Sequence, residues 1–126
     1  MRYHRDERRT FHGDIFANPD GDTNLVYLEP NIPIAWHRHQ RQADRLFLVK
    51  GVLRVRCWTD DPLIDGVEHI LVNTRGAREV LHIPANVWHG YCALVEDTIL
   101  LQFNGPGKYT GEDEERKSLD EVPWTW

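Results

Sequence analysis

Trp36-His37-Arg38-His39, followed by Asp44, by Gly51 and much later by Pro84-x-Asn86-x-x-His89, is the stretch on which the reading of this chain turns. In a β-strand successive side chains point to opposite faces, so His37 and His39 share one face while Trp36 and Arg38 take the other. Two imidazoles facing one interior, joined by a carboxylate and by a third His from far along the chain, suit the inside of a small barrel. Such a group serves either as a metal nest or as an acid/base pair.

Outward from this stretch, short apolar runs alternate with turn signals. Asp14–Ala17 ends at Asn18-Pro19-Asp20-Gly21, and Asn24–Leu28 ends at Pro30-Asn31-Ile32-Pro33. Ile34–His39 and Arg45–Lys50 follow, and Gly51 turns the chain into Val52–Thr59. There Leu53, Val55 and Cys57 alternate with Arg54, Arg56 and Trp58. Val67–Val72, Val80–Ile83, Gly90–Leu94 and Thr98–Phe103 complete the series. Many short strands with Gly and Pro between them predict an all-β, antiparallel jelly-roll barrel, with residues 1–126 as a single domain. Residues 1–12 read as an N-terminal arm, residues 105–126 as a tail packed on the barrel, and Asp113–Leu119 as at most a turn of helix. Arg45–Lys50 and Thr98–Phe103 are apolar on both faces. A homodimer joined through one sheet face explains this, and so does the arm lying over that face.

With 126 residues the chain can bury a core without disulfides. A formal net charge of -5 argues against a nucleic-acid partner. Arg2, Arg5, Arg8 and Arg9 are interleaved with Asp6 and Glu7, the pattern of a solvated segment. Cys57 and Cys92 lie in apolar, strand-like contexts and read as buried free thiols, which fits a reducing cytoplasm. No apolar run approaches the ~20 residues of a membrane span, and the start lacks the apolar core of a signal peptide. The expectation is a soluble cytoplasmic protein without membrane or nucleic-acid partners.

His37, His39, Asp44 and His89 form a donor set that Fe, Mn, Ni, Cu or Zn uses. The competing reading is a group of hydrogen-bonded polar residues lining the barrel without a metal. His4, His12, His69 and His82 show no comparable grouping. Trp36, Trp58 and Trp88 flank the site-bearing strands and read first as packing residues. Arg38, Arg54 and Arg56 have the right chemistry for a phosphate, but alternation turns them away from the histidines.

His37-x-His39, Asp44 and Gly51 have the spacing of the first cupin motif, with Asp in the usual Glu place and Asn31 at the leading Gly. Pro84-x-Asn86-x-x-His89 resembles the second motif, with Asn86 for the usual Gly and Ala93 where Asn is typical. Asn86 can adopt the left-handed conformation that Gly would provide. From Ile34 onward the chain looks like the short cupins grouped with dTDP-4-dehydrorhamnose 3,5-epimerase. Trp36–Gln40, Leu46–Gly51, His82–Tyr91, Gly107-Lys108-Tyr109 and Pro123-Trp124 carry the likeness. The resemblance implies a cupin double-stranded β-helix and a nucleotide-linked keto-sugar substrate. In that family a ketone at C4 acidifies the neighbouring C–H bonds, a His takes a proton, a Lys steadies the enolate, and a Tyr returns a proton on the other face. By resemblance His37 falls at the base, His89 at the second His of the pocket, and Tyr109 beside the nucleotide base. Gln40 joins Tyr109 as a substrate-binding position.

The likeness also carries three departures: Asp44 stands at the Lys position, Phe103 at the acid Tyr, and Ile34 at an Arg three residues before the base. A carboxylate raises the cost of an adjacent enolate, and Phe has no proton to give. Either a metal on His37, His39, Asp44 and His89 replaces the Lys as Lewis acid, or a His pair performs a simpler single proton shift. The leading expectation is therefore an epimerase or isomerase on a keto-deoxysugar, requiring no cofactor. The alternatives are an oxygenase or isomerase dependent on a divalent transition metal, and a non-catalytic sugar-binding cupin.

Overall fold

The computed structural model describes residues 1–73 and 79–126. Its strands are β1 (Arg2–Arg5), β2 (Arg9–Gly13), β3 (Asp22–Leu28), β4 (Ile34–His39), β5 (Ala43–Lys50) and β6 (Val52–Trp58). They continue with β7 (Val67–Val72), β8 (Val80–Ile83), β9 (Trp88–Ala93), β10 (Thr98–Gly105) and β11 (Glu114–Arg116). A six-stranded sheet runs β1-β2-β3-β10-β5-β8, and a five-stranded sheet runs β11-β4-β9-β6-β7. Every strand pairing within the two sheets is antiparallel. None of the helices among the described residues is long and apolar enough to cross a membrane.

Side-chain alternation sorts each strand between a shared interior and an outer face. Val26, Leu46, Leu48, Leu53, Val55 and Leu100 point inward and form one buried cluster. The outer face of the five-stranded sheet carries a second core, in which Trp36, Trp58, Trp88 and Val122 are buried. Trp124 and Trp126 close over it; the Trp36 ring lies 4.9 Å from Trp58 edge-on and 4.9 Å from Trp126 in a stack. β9 is consequently buried on both faces, and Gly90 is required there: a Cβ would sit 2.5 Å from the Ala35 Cβ.

The tight turns match their residues. Asn31 (φ 61) and Asn86 (φ 66) adopt the left-handed region that Asn tolerates. Gly51 (φ 95) could take no side chain, since a Cβ would meet Thr98 at 2.3 Å.

Three local expectations are corrected. Asp14–Ala17 is not a strand; the element lies just before it, as β2. In place of an arm, residues 1–12 contribute β1 and most of β2, because Arg9–His12 find hydrogen-bonding partners along the side of β3 that faces away from β10. Within Asp113–Leu119 the chain forms β11 against β4, since Glu114–Arg116 extend beside the free edge at His37–His39. The only helical piece among the described residues is a short 3-10 turn, Leu119–Glu121.

Candidate active site

His37 and His39 point inward from β4, Asp44 from the start of β5, and His89 from β9, where it pairs directly opposite His37. One donor atom from each of the four lies within 4.8 Å of the others. The Asn86 turn sets this convergence: its N–H donates to the His39 carbonyl at 2.6 Å, tying the β8–β9 turn to the end of β4. On the other side, Asp113 accepts the backbone N–H groups of Arg41 (3.1 Å) and Gln42 (3.3 Å), holding the short link between His39 and Asp44.

A buried hydrogen-bond chain reaches Asp44. The Asp14 N–H donates to Asn24 Oδ1 at 3.0 Å, so the Asn24 amide nitrogen faces onward to Asn104 Oδ1 at 2.6 Å. That contact turns the Asn104 Nδ2 donor toward Asp44 Oδ1. The sense of every link follows from a backbone N–H, which can only donate. Burial alone would push the Asp44 carboxyl up, but the His89 hydrogen bond and the nearby histidines bring it to about 2, so it is ionised.

His89 is held at both ends. Its Nδ1 lies 2.9 Å from the Val87 carbonyl and its Nε2 lies 2.7 Å from Asp44 Oδ2. Both partners are acceptors, whereas a neutral imidazole has one N–H to offer them. The His37 ring packs 4.2 Å from His89, and His37 Nε2 stands 4.0 Å from Asp44 Oδ2. Burial, reinforced by the charge of His89, holds His37 well below the usual imidazole value, so it is neutral. His39 is buried, with Nε2 3.9 Å from Asp44 Oδ1 and Nδ1 without a hydrogen-bond partner.

Beside these residues lies a cavity of about 600 Å³. His37 and His39 reach it, with Tyr91, Asn104, Tyr109 and Arg9 among the other walls. The side chain of His37 is 17% exposed, against 2% for His89 and 0% for Asp44. The Tyr109 hydroxyl donates to Glu114 at 2.5 Å, and its ring lies 6.5 Å from that of His39. Gln40 does not line the cavity: it is exposed, and its amide reaches Glu115 at 3.4 Å. His4, read from sequence as ungrouped, does line it. Phe103 lies on the opposite surface of β10, because Gln102 and Asn104 take the inward positions and Phe103 falls between them. It therefore stands at no acid position of this cavity.

Sequence reasoning missed Asn24, Asn104, Tyr91 and Arg9. A signal existed for Asn104: continuing the alternation of Thr98 and Leu100 by two steps puts Gln102 and Asn104 inside. For Tyr91 the same parity from His89 suffices. Nothing local marks Arg9.

No protein-family model matches the chain. A probable low-salt glycan biosynthesis epimerase, Agl13 of Haloferax volcanii, is 33% identical over 97 residues, which is 72% of this chain and 62% of that protein. The chain thus spans less than two thirds of the length of this relative. Among solved structures, the capsular polysaccharide assembling protein CapF from Staphylococcus aureus superposes with a TM-score of 0.78 at 18% identity. The match covers 93% of this chain and 31% of CapF. Oxalate decarboxylase from Bacillus subtilis gives a TM-score of 0.75 at 13% identity, over 91% of this chain and 29% of that one. These structural likenesses establish the fold, a cupin double-stranded β-helix built from two antiparallel sheets. The chain thus has the cupin fold, carries paired histidine motifs in its interior, and is similar in sequence to a probable glycan biosynthesis epimerase.

Proposed function

We propose that this chain is an isomerase that epimerises a nucleotide-linked keto-deoxysugar by proton transfer at a carbon next to the carbonyl. The observation that carries the reading is His37. It is neutral, open to the cavity, and 4.0 Å from an ionised Asp44. An ionised carboxylate has no proton to donate, so it leaves the His37 lone pair free, and at this separation it stabilises the imidazolium once formed. In the step, the C–H bond breaks, its proton goes to His37 and its electron pair becomes the enolate. His89 Nε2 and the Asn104 amide engage the two Asp44 oxygens, so the carboxylate, which would otherwise oppose the enolate, is turned to these partners. Tyr91 returns a proton on the other face, since the Tyr109 proton is committed to Glu114. Exchange of the imidazolium and phenolate with water closes the cycle. Tyr109 serves as the aromatic wall for the nucleotide base.

A specific observation favours a second reading. Three imidazoles and one carboxylate are a transition-metal donor set, and the two acceptors facing His89 exceed the one N–H of a neutral ring. A divalent ion on His37, His39, Asp44 and His89 would supply Lewis acidity to a carbonyl oxygen. The two readings exclude each other at His37, whose coordinated nitrogen would have no lone pair left for a proton.

The test is deuterium wash-in from solvent to a dTDP-4-keto-6-deoxysugar. The His37→Asn protein should lose about 10²–10⁴-fold in exchange rate while retaining ligand binding. Exchange that survives in His37→Asn excludes His37 as base, and exchange abolished by a chelator in the wild-type protein favours the metal. The reading includes a cytoplasmic location, which the free thiols Cys57 and Cys92 suit. It also includes a homodimer, in which a second copy covers the outer face of the six-stranded sheet around Tyr27, Val49 and Val80, all exposed here. Sedimentation equilibrium checks that assembly.

A further inference from the structure

Three carboxamides stand where the six-stranded sheet floors the cavity: Asn24 from β3, and Gln102 and Asn104 from β10. Two of them are spent. Asn24 accepts the Asp14 N–H and donates to Asn104, and Asn104 donates to Asp44. Gln102 is only 6% exposed. Its carboxamide nevertheless has no hydrogen-bond partner among the described residues, and the cavity is the space on which it opens. Its neighbours across the sheet cannot serve it: they are Asn24, already committed, and Leu46, which has no polar group.

An amide withdrawn from water without a partner is costly, and a ligand oxygen removes that cost. The proton transfers assigned to His37 and Tyr91 leave one atom unattended. When the C–H bond breaks, its electron pair forms a carbon–carbon double bond and the carbonyl π pair moves to oxygen, which becomes negative. Asp44 cannot meet that charge. We propose that Gln102 is the catalytic residue that does so, its Nε2–H donating to the carbonyl oxygen of the bound keto-sugar and keeping that bond as the oxygen becomes an enolate. The proton stays on the nitrogen, and His37 remains the base. Gln102 and Asn104 are alternate residues on one face of β10, about 7 Å apart. Asn104 in turn holds Asp44, which stands 4.0 Å from His37. Donor and base thus border the same part of the cavity, which a carbonyl and its neighbouring C–H group can bridge. A neutral donor suits this place, since the Asp44 carboxylate would draw an ammonium to itself. β10 is paired on both sides, so the amide rides on a rigid strand, as a preorganised oxyanion donor must. Only the enolate step rests on the epimerase reading; the contact with a ligand oxygen does not.

Solvent deuterium wash-in and calorimetry on wild type, Gln102→Met and Gln102→Glu test the assignment. The two probes are a dTDP-4-keto-6-deoxysugar and dTDP, which lacks the sugar carbonyl. Methionine keeps the length of the side chain without a donor, and an ionised glutamate offers only acceptors. Gln102→Met is expected to lose about 10²–10³-fold in kcat for exchange, with a smaller change in KM and unchanged dTDP binding. Gln102→Glu should lose at least as much, because it turns a negative charge towards the enolate. Exchange by Gln102→Met within about tenfold of wild type overturns the proposal. Equal loss of affinity for both probes does so too, because it marks general damage to the cavity. If wild type binds the keto-sugar without exchanging its protons, the epimerase reading fails and calorimetry alone decides the contact. It stands if Gln102→Met weakens keto-sugar binding about threefold or more and spares dTDP, and falls otherwise. A wild-type protein that does not bind the keto-sugar overturns both.

Discussion

Replacing Asn104 by Ala tests the hydrogen-bond chain that reaches Asp44 inside the barrel. The Asn104 amide donates to Asp44 Oδ1 and accepts from Asn24, and Asn24 is almost completely buried. Losing a hydrogen bond to a charged group costs about 1.5–3 kcal/mol, and leaving the Asn24 amide unpaired adds about 1–3 kcal/mol. A loss of about 3–5 kcal/mol is therefore expected, a large part of a typical domain stability of roughly 5–15 kcal/mol. In a chain of 126 residues this corresponds to a fall in Tm of roughly 10–20 °C. The pH dependence gives a second signature. The Asp44 carboxyl lies at about 2 in the folded chain against an ordinary 3.8, so its contribution is present above 3.8 and is lost as the pH falls through about 2. The difference is worth roughly 2 kcal/mol. Without Asn104 the folded carboxyl moves upward and acid unfolding begins at a higher pH. Urea melts at neutral and acid pH, on Asn104→Ala, Asp44→Asn and the double variant, measure both effects. A coupling of about 1.5 kcal/mol or more between the two sites is expected. A loss below about 1 kcal/mol for Asn104→Ala, or additivity within about 0.5 kcal/mol, would refute the reasoning.

The metal reading predicts uptake of one zinc-like divalent ion per chain, with His39→Ala losing most of it in elemental analysis of tag-free protein; full stoichiometry in that variant means that the ion binds elsewhere. Burial, and after it the charge of Asp44, push the Cys57 thiol up to about 12. Iodoacetamide at pH 8 should therefore leave Cys57, which is half-buried, largely unmodified in the folded protein and label it in urea, and rapid labelling of the native chain would show that this thiol is not held neutral beside Asp44.

The strand reading, the inward pairing of His37 with His39 and the left-handed turn at Asn86 were legible in the sequence because each is local. Side-chain parity follows from the pleat, and the turn from the few residues that tolerate positive φ. The convergence of His89 on this pair was readable only as motif spacing. The tertiary structure decided the rest. Asp14, Asn24, Asn104 and Asp44 meet because β3, β10 and β5 lie side by side, and Arg9 meets Tyr91 because β2 and β9 face each other from opposite sheets. No periodicity encodes such meetings; they depend on which strands pair and in what register. Phe103 shows how sharp that dependence is. A shift of one residue exchanges the inner and outer faces of a strand, so only the register of β10 against β3 and β5 could place Asn104 beside Asp44 and turn Phe103 outward.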